Sequence, residues 1–398
     1  MDFTKLKAHL DRIMSDYKVP GVDCIVYKEH EMIFRYFAGK SDLENDIDMN
    51  GNELYLIYSM SKMITCTAVL QLIEQGKILV NDPISLYLPE FAKMKLSAEA
   101  LDTANAAKIA TGGTVGESLS VASDGYARTP ITIEHLLTMT AGLNYDLSAP
   151  YIKKALEEGR TSTRELVAAL AETPLGFEPG TRYRYSLCHD VLGGLVEVVS
   201  GKSFGEYLKD NIFDVLGMKD TFFDLPKDEE RLSRMVAMYR HAPSTREPIR
   251  MALKCDYNLS DRYESGGAGL TSSAEDYAIF VDALANGGVG KNGNRILSAA
   301  SVKLMSANHL LGQPLADFHA GHIGKGYGYG YAVRTHYDRA QSGMLTAHGE
   351  FGWDGAAGAL SMVDPENQLS MVSFQEVHGW DCRKHKQLLN ALYGAIDQ

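Results

Sequence analysis

The sequence holds no run of about 20 apolar residues, the length that a membrane-spanning helix requires. Its first residues, Met1-Asp2-Phe3-Thr4-Lys5-Leu6-Lys7, carry charge where a secretory signal would need its apolar stretch, so the expected location is the cytoplasm. Positive charge is also short: 39 Lys and Arg against 51 Asp and Glu leave a net charge of −12. That deficit argues against nucleic acid, whose binding rests on cationic neutralisation of phosphate, and against an anionic membrane surface. Cysteine is scarce. The five residues (Cys24, Cys66, Cys188, Cys255, Cys382) are odd in number, lie far apart and include no Cys-x-x-Cys. Neither a zinc ribbon nor a disulfide framework is suggested, and reduced structural thiols are expected. No His-Glu-x-x-His helix and no Gly-x-x-x-x-Gly-Lys-Ser/Thr loop occurs, so no metal or organic cofactor is expected.

What is present is ordinary globular composition, 45% apolar and 23% charged, which excludes disorder of the chain as a whole. At roughly 150 residues per domain, 398 residues suggest two to three domains, or one large domain with insertions. Phe3, Leu6, Leu10, Ile13, Met14 and Tyr17 recur at helical spacing, and Pro20-Gly21 stops the pattern. Val22–Tyr27 and Met32–Phe37 read as a hairpin around Lys28-Glu29-His30-Glu31. Ser59–Gln75 is apolar around most of its circumference, has no Gly or Pro, and ends at Gly76; it predicts a buried helix. Residues 96–129, rich in Ala, Gly, Ser and Thr, predict a long surface excursion. Helical patterns dominate from Ile133 to Gly217. Strand signals return at Gly328–Arg334, Ala359–Val363 and Leu369–Phe374, and a last helix spans about Cys382–Ile396. Strands at both ends and helices between them predict an α/β domain from residues 1–58 and 270–398. A mainly helical domain, residues 59–269, is inserted into it, with the Ser59 helix at the interface.

Ser59-Met60-Ser61-Lys62 has the form Ser-x-x-Lys, which on a helix places hydroxyl and amine on one face. A serine needs a base to become a nucleophile, and a lysine whose pKa burial lowers can serve. The alternative for Ser59 is a helix N-cap. Ser15-Asp16-Tyr17-Lys18 also matches, but late in a polar-faced helix. Gly201-Lys202-Ser203-Phe204-Gly205 fits the nucleophile elbow of another fold, yet Val191, Leu192, Leu195, Val198 and Val199 before it are spaced as a helix, not a strand. It reads as a turn between helices. His319-Ala320-Gly321-His322 lacks a third ligand at recognisable spacing and reads as loop histidines. Gly324–Gly330 reads as the start of a strand where backbones approach closely.

Four segments, in order along most of the chain, resemble the serine β-lactamase and penicillin-binding-protein superfamily, and within it the class C-type esterases and D-stereospecific peptidases. They are Leu56-Ile57-Tyr58-Ser59-Met60-Ser61-Lys62, Ile131–Leu143 (ITIEHLLTMTAGL), Glu178-Pro179-Gly180-Thr181-Arg182-Tyr183-Arg184-Tyr185-Ser186, and Ser265-Gly266-Gly267-Ala268-Gly269-Leu270-Thr271-Ser272. The resemblance implies a β-lactamase/transpeptidase-like α/β (α+β) fold: an antiparallel sheet flanked by helices, an all-helical domain, and a cleft between them. It also implies Ser59 as nucleophile. The family's Tyr-x-Asn motif is absent. Tyr185-Ser186-Leu187 stands in its place, so Tyr185 inherits the proton-shuttle role beside Lys62, whose ammonium would lower the phenol's pKa. Leu187 cannot supply the amide. For the third motif, His348-Gly349-Glu350 and Trp353-Asp354-Gly355 compete; the second keeps the Gly and resembles the Trp-x-Gly form of esterases. The N–H of Ala356 would then join that of Ser59 as an oxyanion hole.

The function these features imply is acyl transfer through a serine ester: a carboxylesterase for small neutral esters. Asp354 at the cleft edge would disfavour anionic substrates. β-Lactamase or D-amino-acid peptidase/transpeptidase activity on amides is the first alternative, and transfer of the acyl group to an alcohol the second. A non-catalytic ligand-binding member of the fold is an alternative of another class.

Overall fold

The computed structural model describes residues 1–102, 125–321, 324–379 and 382–396. The architecture starts from a two-residue turn. Glu29 and His30 adopt φ of 51° and 66°, the paired left-handed conformations of the hairpin turn whose twist matches its strands. They join β1 (Gly21–Lys28) to β2 (Glu31–Asp42), as the sequence predicts, with a bulge at Val26/Tyr27. The remaining strands are β3 (Ile47–Asp48), β4 (Leu54–Leu56), β5 (Phe222–Phe223), β6 (Tyr239–His241), β7 (Pro248–Arg250), β8 (Leu270–Ser273), β9 (Tyr327–Tyr329), β10 (Arg334–His336), β11 (Phe351–Gly352), β12 (Leu360–Asp364), β13 (Leu369–Phe374) and β14 (Val377–His378). The main sheet is antiparallel with order β3-β2-β1-β13-β12-β11-β10-β9, so the first hairpin of the chain pairs with the last. A mixed α/β fold with an antiparallel sheet flanked by helices is what the sequence predicts.

Helices of eight or more residues are numbered here: α1 (Thr4–Tyr17), α2 (Ser61–Glu74), α3 (Pro150–Glu157), α4 (Thr163–Leu170), α5 (Cys188–Ser200), α6 (Ala274–Ala285), α7 (Ala299–Ser306), α8 (Gly312–Gly321) and α9 (Cys382–Ile396). α1 packs on α9, and α6 lies against β1, β12 and β13. α2 is buried from Ser61 through Leu72, the outcome expected of a helix apolar all round. It packs on α5. No described helix is long and apolar enough to cross a membrane. Cys24, Cys66, Cys188 and Cys255 are buried free thiols.

Two expectations change. Gly328–Arg334 is not one strand but the β9–β10 hairpin, because Gly330 N–H bonds back to Val333 O and Ala332 turns left-handed at φ 64°. The stretch 59–269 also carries short strands. β5 joins β4 and β8 in one small sheet, and β6 and β7 join β14 in another. Most of the expected surface excursion, residues 103–124, and His322 lie outside the described residues.

The β11–β12 crossing allows no side chain at Gly352, where a Cβ would collide with the Ser361 carbonyl. Gly352→Ala is therefore expected to cost about 1–3 kcal/mol, the usual range for overpacking. A urea unfolding series should show a lower midpoint than the unmodified protein.

Candidate active site

β4 delivers the chain to the site. Ile57 N–H still bonds to Leu270 O of β8 at 3.0 Å, and then Tyr58 turns left-handed at φ 45°. A bulky residue rarely holds that conformation unless its surroundings fix it. Tyr58 is buried, its hydroxyl lies 3.1 Å from His378 Nε2, and its ring meets Tyr257 edge-on at 5.9 Å. The turn converts strand into a single 3-10 turn, Tyr58–Met60, that runs into α2. The sequence predicts one helix from Ser59; the structure breaks it at Ser61 because of this turn. No side-chain cap bond forms at either N-terminus, so Ser59 is not a capping serine and its hydroxyl is left to other partners.

Lys62 lies one turn further on and is 0% exposed. Its Nζ is 3.2 Å from Ser59 Oγ, 2.6 Å from Gly267 O and 3.4 Å from Tyr145 Oη. Gly267 O can only accept a hydrogen bond. A neutral amine that donates to it and to Tyr145 keeps its lone pair for the Ser59 hydroxyl. Burial favours that state: it pushes the Lys62 amine down to about 7, against the opposing pull of Asp190 and Cys188. Gly267 comes close because it lacks a Cβ, which would stand 2.6 Å from Asp190 Oδ2 and 3.5 Å from Lys62 Nζ. Asp190 is buried, and its Oδ1 accepts from Tyr263 Oη at 2.8 Å and Ser265 Oγ at 2.6 Å.

Tyr185 completes the group. Its hydroxyl is hydrogen-bonded to Ser59 and accepts the Trp353 indole N–H at 3.2 Å. Its ring stacks between Tyr145 (5.7 Å) and Trp353 (5.8 Å), and Lys62 Nζ lies 4.6 Å from its centroid. The expectation that a neighbouring ammonium lowers the phenol is corrected here. Burial pushes Tyr185 up, the bonds from Ser59 and Trp353 only partly oppose it, and the amine beside it sheds its own proton more readily. Burial thus favours the protonated phenol at Tyr185 and the uncharged amine at Lys62.

Trp353-Asp354-Gly355-Ala356 forms a tight turn rather than a direct run into β12. Gly355 N–H bonds to Ala359 O at 2.9 Å, and Gly358 N–H to Gly355 O at 3.0 Å. Gly355 packs so closely on the chain before Ser59 that a Cβ there would lie 2.9 Å from Ile57 O. Ala356 is half-buried against Leu56 and Tyr58. The expected role of Asp354 as a free negative charge at the cleft is corrected: the Arg334 guanidinium, with Nη1 3.4 Å from its Oδ1, compensates the charge, and His385 Nδ1 lies 3.6 Å from its Oδ2. Leu187 is 3% exposed at the start of α5 and packs in the main core. His348 is exposed in the turn before β11. Among the described residues, neither Leu187 nor His348 has a polar contact with Ser59, Lys62 or Tyr185, so the structure unites the triad with Trp353 and does not add these two.

The rejected candidates behave as their local sequences suggest. Ser203 caps the helix Phe204–Leu208, accepting from Glu206 N–H at 3.2 Å. His319 Nε2 bonds to Tyr327 O at 2.7 Å. Lys18 ends α1 in a left-handed conformation and reaches Glu247, not Ser15. Sequence reading missed Tyr145, Asp190 and the Gly267 carbonyl. Tyr145 falls two residues past the Ile131–Leu143 segment, and Gly267 lies inside a segment recognised only for its glycines.

Comparison with known proteins places the chain in a family. The family model described as Beta-lactamase matches residues 6–391. The lovastatin esterase of Penicillium rubens is 31% identical over 375 residues, 89% of this chain and 88% of its own length. Esterase EstB of Burkholderia gladioli is 27% identical over 393 residues, 92% of this chain and 88% of its own. Among solved structures, EstCE1, a hydrolase with promiscuous acyltransferase activity, superposes with a TM-score of 0.78 at 25% identity, covering 98% of both chains. A Ser-x-x-Lys turn with its lysine buried, matched along nearly the whole chain, identifies the protein as a member of the Beta-lactamase family with the serine β-lactamase fold.

Proposed function

We propose that this protein is a serine carboxylesterase for small neutral esters, working through an acyl-enzyme. The observation that carries the reading is the fully buried Lys62 amine 3.2 Å from Ser59 Oγ. Lys62, uncharged above its lowered pKa, takes the Ser59 proton as Oγ attacks the ester carbonyl. Tyr185, bonded to the same hydroxyl, passes its proton to the leaving alkoxide and regains one from the Lys62 ammonium, so the proton taken from Ser59 leaves with the alcohol. The amides of Ser59 and Ala356 hold the oxyanion. The alcohol leaves and the acyl group stays on Ser59; water then attacks that ester, gives its proton to Lys62, and the acid leaves as Ser59 Oγ is reprotonated. The chemistry is complete with side chains and backbone alone.

Three observations favour neutral esters over β-lactams and D-peptides. Leu187 offers no amide to a substrate acylamino group. Arg334, the cation nearest Asp354, is buried and committed to Glu350, Asp354 and Ser361 O. Trp353 and Asp354 stand where, by the family resemblance, the lactamase and peptidase forms carry a cation for the substrate carboxylate, and the Trp353 indole is engaged with Tyr185. A site without partners for buried polar groups rejects substrates that carry them. The esterase names of the lovastatin enzyme and of EstB support the same choice. EstCE1 favours a second reading in which an alcohol replaces water as acyl acceptor.

Ser59→Ala should abolish hydrolysis of nitrophenyl acetate, while Ser203→Ala should stay near the unmodified rate; loss of activity in a folded Ser203→Ala protein would overturn the assignment. The sign of the pH dependence follows from the lowered amine. The base is active when deprotonated, so kcat/KM should rise with pH and level off above a midpoint of about 7. A profile flat from pH 5 to 9 would remove Lys62 as base. Efficiency on nitrophenyl acetate should exceed that on nitrocefin by at least about two orders of magnitude, or about 2.7 kcal/mol at 1.36 kcal/mol per decade. Equal efficiencies would favour the β-lactamase alternative.

A further inference from the structure

The turn that carries Ala356 is gripped from behind by buried polar side chains that the mechanism above does not use. Gly358 O, at the end of the turn, accepts from Gln375 Nε2 at 2.8 Å and lies 2.9 Å from His385 Nε2. A carbonyl only accepts, so His385 donates to it from Nε2, while its Nδ1 lies 3.6 Å from Asp354 Oδ2 at the start of the turn. One imidazole thus spans both ends of the turn. The Gln375 amide has its direction set as well: Lys384 Nζ, on a side chain 0% exposed, donates to Gln375 Oε1 at 2.7 Å, which leaves Nε2 to face Gly358. Arg334 holds Asp354 from the sheet side. Gly358 itself admits no replacement, since it sits at φ 92° and a Cβ would lie 3.1 Å from the Gln375 side chain. The clamp draws on the residue that follows β13 and on the first turn of α9, far in sequence from Ser59.

We propose that His385 and Gln375 are positioning residues that hold the Trp353–Gly358 turn so that the Ala356 N–H aims at the oxyanion. The inference rests on the reading of Ala356 as an oxyanion donor. It gives α9 a function: the last helix locks an element of the active site, and Asp354 serves the geometry of the turn rather than the charge of the cleft. Removing one oxyanion donor from a hydrolase costs roughly 100- to 1,000-fold in kcat, so a misaligned donor should cost about 10- to 100-fold.

The test compares His385→Leu, His385→Gln and Gln375→Met with the unmodified protein on nitrophenyl acetate and on nitrophenyl thionoacetate. Sulfur accepts hydrogen bonds poorly, so the oxo-to-thiono rate ratio reports donor alignment. His385→Leu and Gln375→Met should each lower kcat about 10- to 100-fold with KM within about threefold, and should shrink that ratio severalfold. His385→Gln, which keeps a donor within reach of Gly358 O, should recover most of both. Unchanged kcat in both clamp variants, or a fall in kcat with the ratio unmoved and no recovery by Gln, would overturn the proposal. If His385→Leu does not fold, Gln375→Met decides by the same criteria. A ratio near one in the unmodified protein would overturn the oxyanion reading itself. A large ratio there, unmoved in the variants, would sink the clamp alone.

Discussion

A buried amine beside a serine hydroxyl is the constraint on which the rest of the structure depends. Taking an ammonium out of water costs several kcal/mol even after relaxation, and a protein bears that cost or lets the group lose its proton. Here the surroundings favour the second: burial pushes the Lys62 amine down to about 7. Lys62 meets a carbonyl, a phenol and the serine, with no carboxylate in direct contact. The Asp190 carboxylate, two hydroxyls already on it, stands behind Gly267 rather than against the amine. Had Asp190 paired directly with Lys62, the ammonium would have been stabilised, which would defeat the proposed role of Lys62 as base. The strand return through Ser265–Ser273 therefore does more than rejoin the sheet, since it places a neutral acceptor, Gly267 O, against the Lys62 amine instead of the Asp190 carboxylate.

The second requirement is delivery of the nucleophile. Tyr58 accepts a left-handed backbone so that β4 can turn abruptly into the Ser59 turn, and its half-buried partners His378 on β14 and Tyr257 stabilise that conformation. Strain of this kind persists only where neighbours over-determine it. The same neighbourhood packs on Ala356, so the proposed nucleophile and the proposed oxyanion turn share one wall. The aromatic stack Tyr145–Tyr185–Trp353 closes the other side and fixes the Tyr185 hydroxyl between Ser59 and the indole.

Much of this was legible in sequence where the signal is local. The hairpin around Glu29-His30, the β12–β13 pair and α9 follow from alternation, turn chemistry and helical period. The Ser59–Lys62 pair follows from a three-residue spacing on a helix apolar on all sides. What escaped depends on contacts between distant segments. β5, β6, β7 and β14 have two or three residues each and exist only because partners far along the chain supply their ladders. Tyr145 reaches Lys62 across 83 positions, a contact no periodicity encodes. Asp354 looked like a charge on the cleft because its partners, Arg334 and His385, lie 20 and 31 positions away on other elements. The left-handed Tyr58 gave no warning, since a tyrosine is among the residues least suited to it.

The central claim is that Ser59, activated by an uncharged Lys62, carries the acyl group. Quenching the protein with acid during turnover of a nitrophenyl ester, followed by intact-mass measurement and peptide mapping, tests it directly. The account predicts one added acyl mass, located on the peptide containing Ser59 and absent from Ser59→Ala. An adduct on any other residue, or turnover with the same adduct persisting in Ser59→Ala, would contradict it.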